Sequence, residues 1–240
     1  MEAAVVRDNV YYLGVVEGGK KEKYIPKGDF TARPVKDRET LEEIKQLLME
    51  SGKYGYRNYA IFLLGINCGL RCGDVLQIRL KDIWDEEKQE VTGLTVLEEK
   101  TRKTRKNIQF SEKIKEGLKG YILTLKDRDP ESPLFPSRKK VKKKEQGVKD
   151  NTGCLTTDSY NDILKEIRKK IGMEHLSTHS MRKTFGYNVY KRNAGKLIAG
   201  EYMAIDIVQQ MLNHSSPAVT LRYIGIEEEV QNEIYRDMEL

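Results

Sequence analysis

Cysteine and histidine are both scarce in this 240-residue chain, with three of each. Three thiols, Cys68, Cys72 and Cys154, are an odd number, and no charged-then-apolar leader precedes them; this argues against a disulfide framework and for a reducing compartment. Cys68 and Cys72 lie one helical turn apart with no second ligand pair nearby, which favours buried thiols over a metal site. Long apolar runs are missing too. The longest, from Ala60 to Ile66, falls well short of the about 18 residues that a membrane span requires. No internal repeat is apparent. These absences point to a soluble, cytoplasmic protein with no membrane partner.

Charge is abundant. Lys and Arg number 43 against 37 Asp and Glu, a net charge of +6, which suits a polyanionic partner without demanding one. The length allows one large domain, or one domain with a small appendage. Residues 1–36, with Gly18-Gly19, Lys20-Lys21 and a short apolar stretch from Val10 to Leu13, read as an arm or linker holding at most a strand. Thr40 and Glu43 form a capping-box pattern ahead of Leu41, Ile44, Leu47 and Leu48, so a helix is expected over 41–51. A second, mostly buried helix is expected from Tyr56 to Cys68, stopped by Gly69. From Val91 to Phe110 the pattern becomes that of a hairpin with a basic tip, the main sheet of the protein. Helices resume near 111–125, 157–171, 178–192, 203–212 and 217–224, followed by an acidic amphipathic tail. The fold class is therefore mainly α with a small antiparallel β-sheet. The basic run from Arg138 to Lys144 reads as a solvated loop rather than a phosphate contact.

Two of the three histidines stand in a chemical setting. His179 and Arg182 are three residues apart and share one helical face. Tyr223 lies nine residues after His214, an offset that would put the two on opposite sides of a continuous helix, so a break must separate them. Ser215-Ser216-Pro217 supplies one, since serine caps helices and proline favours their first position, and Asn213 tolerates the left-handed turn that ends the preceding helix. Arginine offers a phosphodiester a fork of donors that stays charged, imidazoles move protons near neutrality, and an assisted tyrosine hydroxyl can attack phosphorus. Such a set needs no metal or other cofactor. Taken singly, His179 reads equally well as a core histidine and Arg71 as a surface ion-pair partner; only their joint occurrence carries weight.

Gly69-Leu70-Arg71-Cys72-Gly73-Asp74, then His179-Ser180-Met181-Arg182, then Leu212-Asn213-His214-Ser215-Ser216 with Tyr223 beyond, closely resemble the tyrosine recombinases, or phage integrases, in order and spacing as well as identity. The resemblance covers roughly residues 37–224, and it implies the fold of that family's catalytic domain. It implies that Arg71 and Arg182 hold the scissile phosphate, that His179 shuttles the proton of the nucleophile, that His214 donates to a non-bridging oxygen and that Tyr223 attacks phosphorus. The family's hairpin lysine, which protonates the departing 5'-oxygen, is matched in place by Lys100, with Lys103 on the same hairpin as the alternative. Asp74 matches an acidic position that looks structural and orients the arginine. The implied activity is site-specific DNA recombination through a covalent 3'-phosphotyrosine, serving the integration or excision of a mobile element. Type IB topoisomerases share similar chemistry, and a catalytically silent DNA-binding regulator is the reading from another class; the intact residue set and the His-to-Tyr spacing favour recombination.

Two departures from the family pattern stand out. Asn213 replaces the glycine common before the second histidine, and Cys72-Gly73 is an unusual pair after the first arginine. Ahead of the catalytic domain, expected over 37–224, residues 1–36 are an arm or linker too short for the family's usual core-binding domain, so the chain reads as a minimal member or as a fragment, and 225–240 form the tail helix. Implied partners are double-stranded DNA, further copies of the chain in a tetramer on that DNA, and accessory DNA-bending proteins.

Overall fold

In the computed structural model the described residues are 32–100, 102–137 and 153–238, together with the backbone of a two-residue hairpin in which β1 (Val6–Arg7) pairs antiparallel with β2 (Val10–Tyr11). Met1–Thr31 and Ala32–Leu240 are separate units. The rest of residues 1–31 and the basic run 138–144 lie outside the described residues.

The larger unit opens with α1 (Arg38–Met49). Its cap is Asp37, one turn earlier than the Thr40 capping box suggested: the Asp37 carboxylate accepts from both the Thr40 amide and the Thr40 hydroxyl at 2.6 Å. Next comes α2 (Gly55–Cys68), which buries nearly every side chain from Ala60 to Leu64 and ends at Gly69 in the left-handed conformation, φ 63°. Only glycine fits there. A Cβ on Gly69 would stand 2.4 Å from the Phe185 ring, so the chain turns against an aromatic of another helix. One short helix, α3 (Cys72–Leu76), follows directly; it is too brief for periodicity to reveal.

Among the described residues of this unit, three antiparallel hairpins replace the single expected sheet. β3 (Trp84–Asp85) pairs with β4 (Glu90–Val91), so Val91 belongs to a hairpin of its own. β5 (Leu94–Leu97) pairs with β6 (Thr104–Ile108), with Val96 opposite Arg105, and its tip carries Lys100, Arg102 and Lys103 exposed, as the basic pattern led one to expect. β7 (Leu197–Ile198) and β8 (Tyr202–Met203) form a third hairpin that the sequence had hidden.

The other helices are α4 (Glu112–Ile122), α5 (Thr157–Ile171), α6 (Thr178–Asn193), α7 (Ala204–Met211), α8 (Pro217–Ile224) and α9 (Ile226–Asp237), all within a few residues of their expected ranges. Ser216 caps α8 by accepting from the Val219 amide, Pro217 opens it, and Asn213 has φ 52°, the break inferred from residue types alone.

Two apolar clusters hold the unit together. The larger joins α1 to α5, the hairpins near β3 to β5 and Met181 of α6. A smaller one gathers Phe185, Tyr187, Val208, Leu212, Ile224 and Ile226 from α6, α7, α8 and the start of α9. Helix α6 belongs to both. Its first turns pack in the larger cluster and its middle in the smaller. Among the described residues no helix is long and apolar enough to cross a membrane.

Candidate active site

All six residues singled out from the sequence sit around this junction. Arg71 occupies the cap position of α3, immediately after the Gly69 turn, and its Nη1 donates to Glu98 Oε2 at 2.9 Å. Arg182, on α6, is 3% exposed; its guanidinium donates to the carbonyls of Gly69 and Leu212, tying the α2–α3 corner to the end of α7. A cavity of about 450 Å³ is lined by Arg71, Lys100, Thr157, Thr178, His179 and Arg182 among others.

His214 and Tyr223 approach Arg182 from the small cluster. Their rings meet edge to face with centroids 4.8 Å apart. Thr220 gives its hydroxyl proton to the Ser216 carbonyl at 3.0 Å, so its oxygen accepts from His214 Nδ1 at 3.2 Å. That fixes the tautomer and leaves Nε2 to act on a ligand.

Electrostatics follow from crowded cations. Burial, then the charges of Arg182 and Arg71, push His214 down to about 4, so its ring is neutral at neutral pH. His179 is lowered by burial and by Lys183, Arg182, Arg71 and Lys100. Burial raises the Tyr223 hydroxyl above its ordinary value, while Arg182 and Arg71 pull the other way, Arg182 also through a hydrogen bond. The Lys183 ammonium lies 5.0 Å from the centre of the Tyr223 ring. The site is a concentration of positive charge, which with burial favours unprotonated imidazoles, while burial favours a protonated phenol. An entering phosphate would relieve the repulsion and raise both histidines.

The acid beside Arg71 differs from expectation. Asp74 Oδ1 accepts instead from the Glu99 amide at 2.9 Å, pinning the hairpin to α3, and Glu98 is what holds the arginine. Strand phase carried a signal for this. Leu94, Val96 and Glu98 share a face, and Glu98 is wholly buried while Leu97 is 55% exposed. Lys100 lines the cavity, whereas Lys103 Nζ donates to Asn213 Oδ1 at 3.1 Å. Cys68 and Cys72 are buried thiols, pushed by burial to about 11 and about 12.

Two arginines, two histidines and a tyrosine converging beside one cavity make up a class of site able to hold a phosphoryl group and to offer it an oxygen nucleophile. The phage integrase family profile matches residues 38–229, and the chain belongs to that family, the tyrosine recombinases. It is 33% identical over 204 residues to the probable integrase/recombinase YoeC of Bacillus subtilis (strain 168), spanning 85% of this chain and 95% of YoeC. It is 29% identical over 193 residues to the tyrosine recombinase XerC of Caldanaerobacter subterraneus subsp. tengcongensis, 79% of this chain but 47% of that relative, so the chain spans about half of XerC's length. Among solved structures, the XerH recombinase bound to palindromic difH in a post-cleavage complex superimposes with a TM-score of 0.55 over 87% of this chain and 53% of XerH, at 19% identity. That likeness is one of fold.

Proposed function

We propose that the protein is a site-specific DNA recombinase acting through a 3'-phosphotyrosine intermediate, most simply the integrase of a mobile element. One observation carries this reading: the guanidinium of Arg182 joins the Gly69 corner beside Arg71 to the turn before His214, with Tyr223 at hand. Arg71 and Arg182 hold the non-bridging oxygens of the scissile phosphate. His214, protonated once the phosphate supplies a negative charge, donates to one of them. Tyr223 loses its proton to His179 and its oxygen attacks phosphorus, while Lys100 gives a proton to the departing 5'-oxygen. One phosphodiester replaces another, so the step reverses and the strand is rejoined.

The exposed cations at the β5–β6 tip supply the charge for double-stranded DNA. Residues 37–224 form the catalytic domain, with 1–36 as an arm. Val230 and Ile234 on α9, and Met238 just past its end, are 47%, 56% and 59% exposed at intervals of four residues, as suits a helix exchanged between copies in a tetramer on DNA.

A pool of nicked duplexes of random sequence tests the reading. Wild type should trap denaturant-resistant adducts whose sequences converge on one site, and Tyr223→Phe should trap none. Adducts without sequence preference would favour a type IB topoisomerase. Salt-sensitive binding with no adduct would favour a silent regulator.

A further inference from the structure

Glu98 takes no part in the chemistry just described, yet three pieces of the site meet at its carboxylate. The side chain is 0% exposed, and an ionised acid so placed must be paired. Oε2 accepts from Arg71 Nη1 at 2.9 Å and from Asn213 Nδ2 at 3.3 Å, and Oε1 stands 3.2 Å from Arg105 Nε. Lys103 Nζ completes the chain by donating to Asn213 Oδ1 at 3.1 Å. Arg71 comes from the α2–α3 corner, Arg105 and Lys103 from the hairpin that carries Lys100, and Asn213 immediately precedes His214.

We propose that Glu98 is a positioning residue. It aims Arg71 before substrate arrives and, through Asn213, locks the Lys100 hairpin to the His214 turn. An arginine fork has five donors, so an edge engaged by Glu98 leaves others for a phosphate. A carboxylate is required rather than a neutral acceptor, because Arg71, Arg105 and Arg182 would otherwise repel one another across a buried space. Asn213 fits the same logic. At φ 52° glycine is the least strained residue, and asparagine adds the side-chain amide that bridges Glu98 to Lys103.

This inference rests on the recombinase reading, and wild type on the captured nicked duplex separates the two: no wild-type adduct sinks the reading itself. With wild type active, Glu98→Gln should slow adduct formation by about 10- to 100-fold at saturating protein, with DNA affinity changed less than about twofold. On a duplex carrying a methylphosphonate at the scissile position, one stereoisomer lacks the charged oxygen that Arg71 must meet. There the deficit should shrink to under about threefold. A wild-type rate on the natural diester, or an equal deficit on both duplexes, overturns the proposal. Asn213→Gly keeps the backbone turn and decides the second half even if Glu98→Gln fails to fold. It should slow adduct formation by about three- to tenfold and speed amide exchange at residues 98–106. Unchanged rate and exchange in Asn213→Gly would overturn the link between hairpin and turn.

Discussion

The two apolar clusters support different halves of the same site, and they are unequal. Arg71 and the hairpin with Lys100 stand on the larger cluster, where α2 alone contributes Ala60, Ile61, Phe62, Leu63 and Leu64 to the interior. His214 and Tyr223 stand on a handful of side chains, among them Val208, Leu212 and Ile224. Packing of this size sets how easily a region opens, since local unfolding is cheapest where the fewest apolar groups are buried. The proposed phosphate grip is thus built on rigid ground and the proposed nucleophile on lighter ground. Helix α6 joins them, with Met181 in one cluster, Phe185 in the other and Arg182 between.

Paired truncations would break or sharpen this contrast. Leu64→Ala in the large cluster should cost about 2–5 kcal/mol of global stability by urea denaturation and lower hydrogen-exchange protection throughout the unit. Ile224→Ala, equally buried, should cost about 2 kcal/mol and speed exchange in α7 and α8 while α2 stays protected. Equal loss of protection in α2 and α8 from both variants would show one cooperative core and dissolve the distinction.

A smaller change probes the contact between α6 and α8. Gly186 lies where a Cβ would stand 2.8 Å from Ile224 Cγ2 and 3.0 Å from Leu212 Cδ1, both fully buried. Overpacking of about 1–3 kcal/mol, offset by about 1 kcal/mol of helix propensity, leaves Gly186→Ala a net loss near 1 kcal/mol. Because the displaced helix carries Tyr223, adduct formation should fall by more than tenfold, beyond what so modest a loss of stability explains. An undiminished rate would show that α8 tolerates the shift.

The smallest expected effect is on pH dependence. His214 is held at about 4 in the folded chain against an ordinary 6.5, so between those values the unfolded chain binds the extra proton and folding is disfavoured as pH falls. His179 acts in the same sense. Melting temperature should therefore drop as pH is lowered from about 7 to about 5.5, and His214→Asn should flatten that slope. A slope unchanged in the variant would place the titration elsewhere.

Much of this was legible along the chain because its signals are local. Gly69 had to end a helix, Ser216-Pro217 had to begin one, and Asn213 had to turn between them; each follows from backbone preferences that a residue carries with it. Shorter elements escaped. Five residues of α3 and two-residue strands give periodicity too little length to register, and Asp37 displaced Thr40 as the cap because its carboxylate reaches two Thr40 donors at once. The acid hydrogen-bonded to Arg71 escaped for another reason. The family's acidic position pointed to Asp74, whereas the carboxylate that accepts from Arg71 Nη1 is Glu98, 27 residues along the chain and just past β5.

By itself, the sequence determined the kinds of chemical group available, their order, and the helix starts and stops that bring His179 beside Arg182 and set Tyr223 back toward His214. Tertiary structure decided which charges compensate which. Glu98 against Arg71 and Arg105, Arg182 against the carbonyls of Gly69 and Leu212, and the depression of His214 all depend on distance and burial between remote segments. Coulomb energy and desolvation vary with separation in space, and no spacing along the chain encodes that separation.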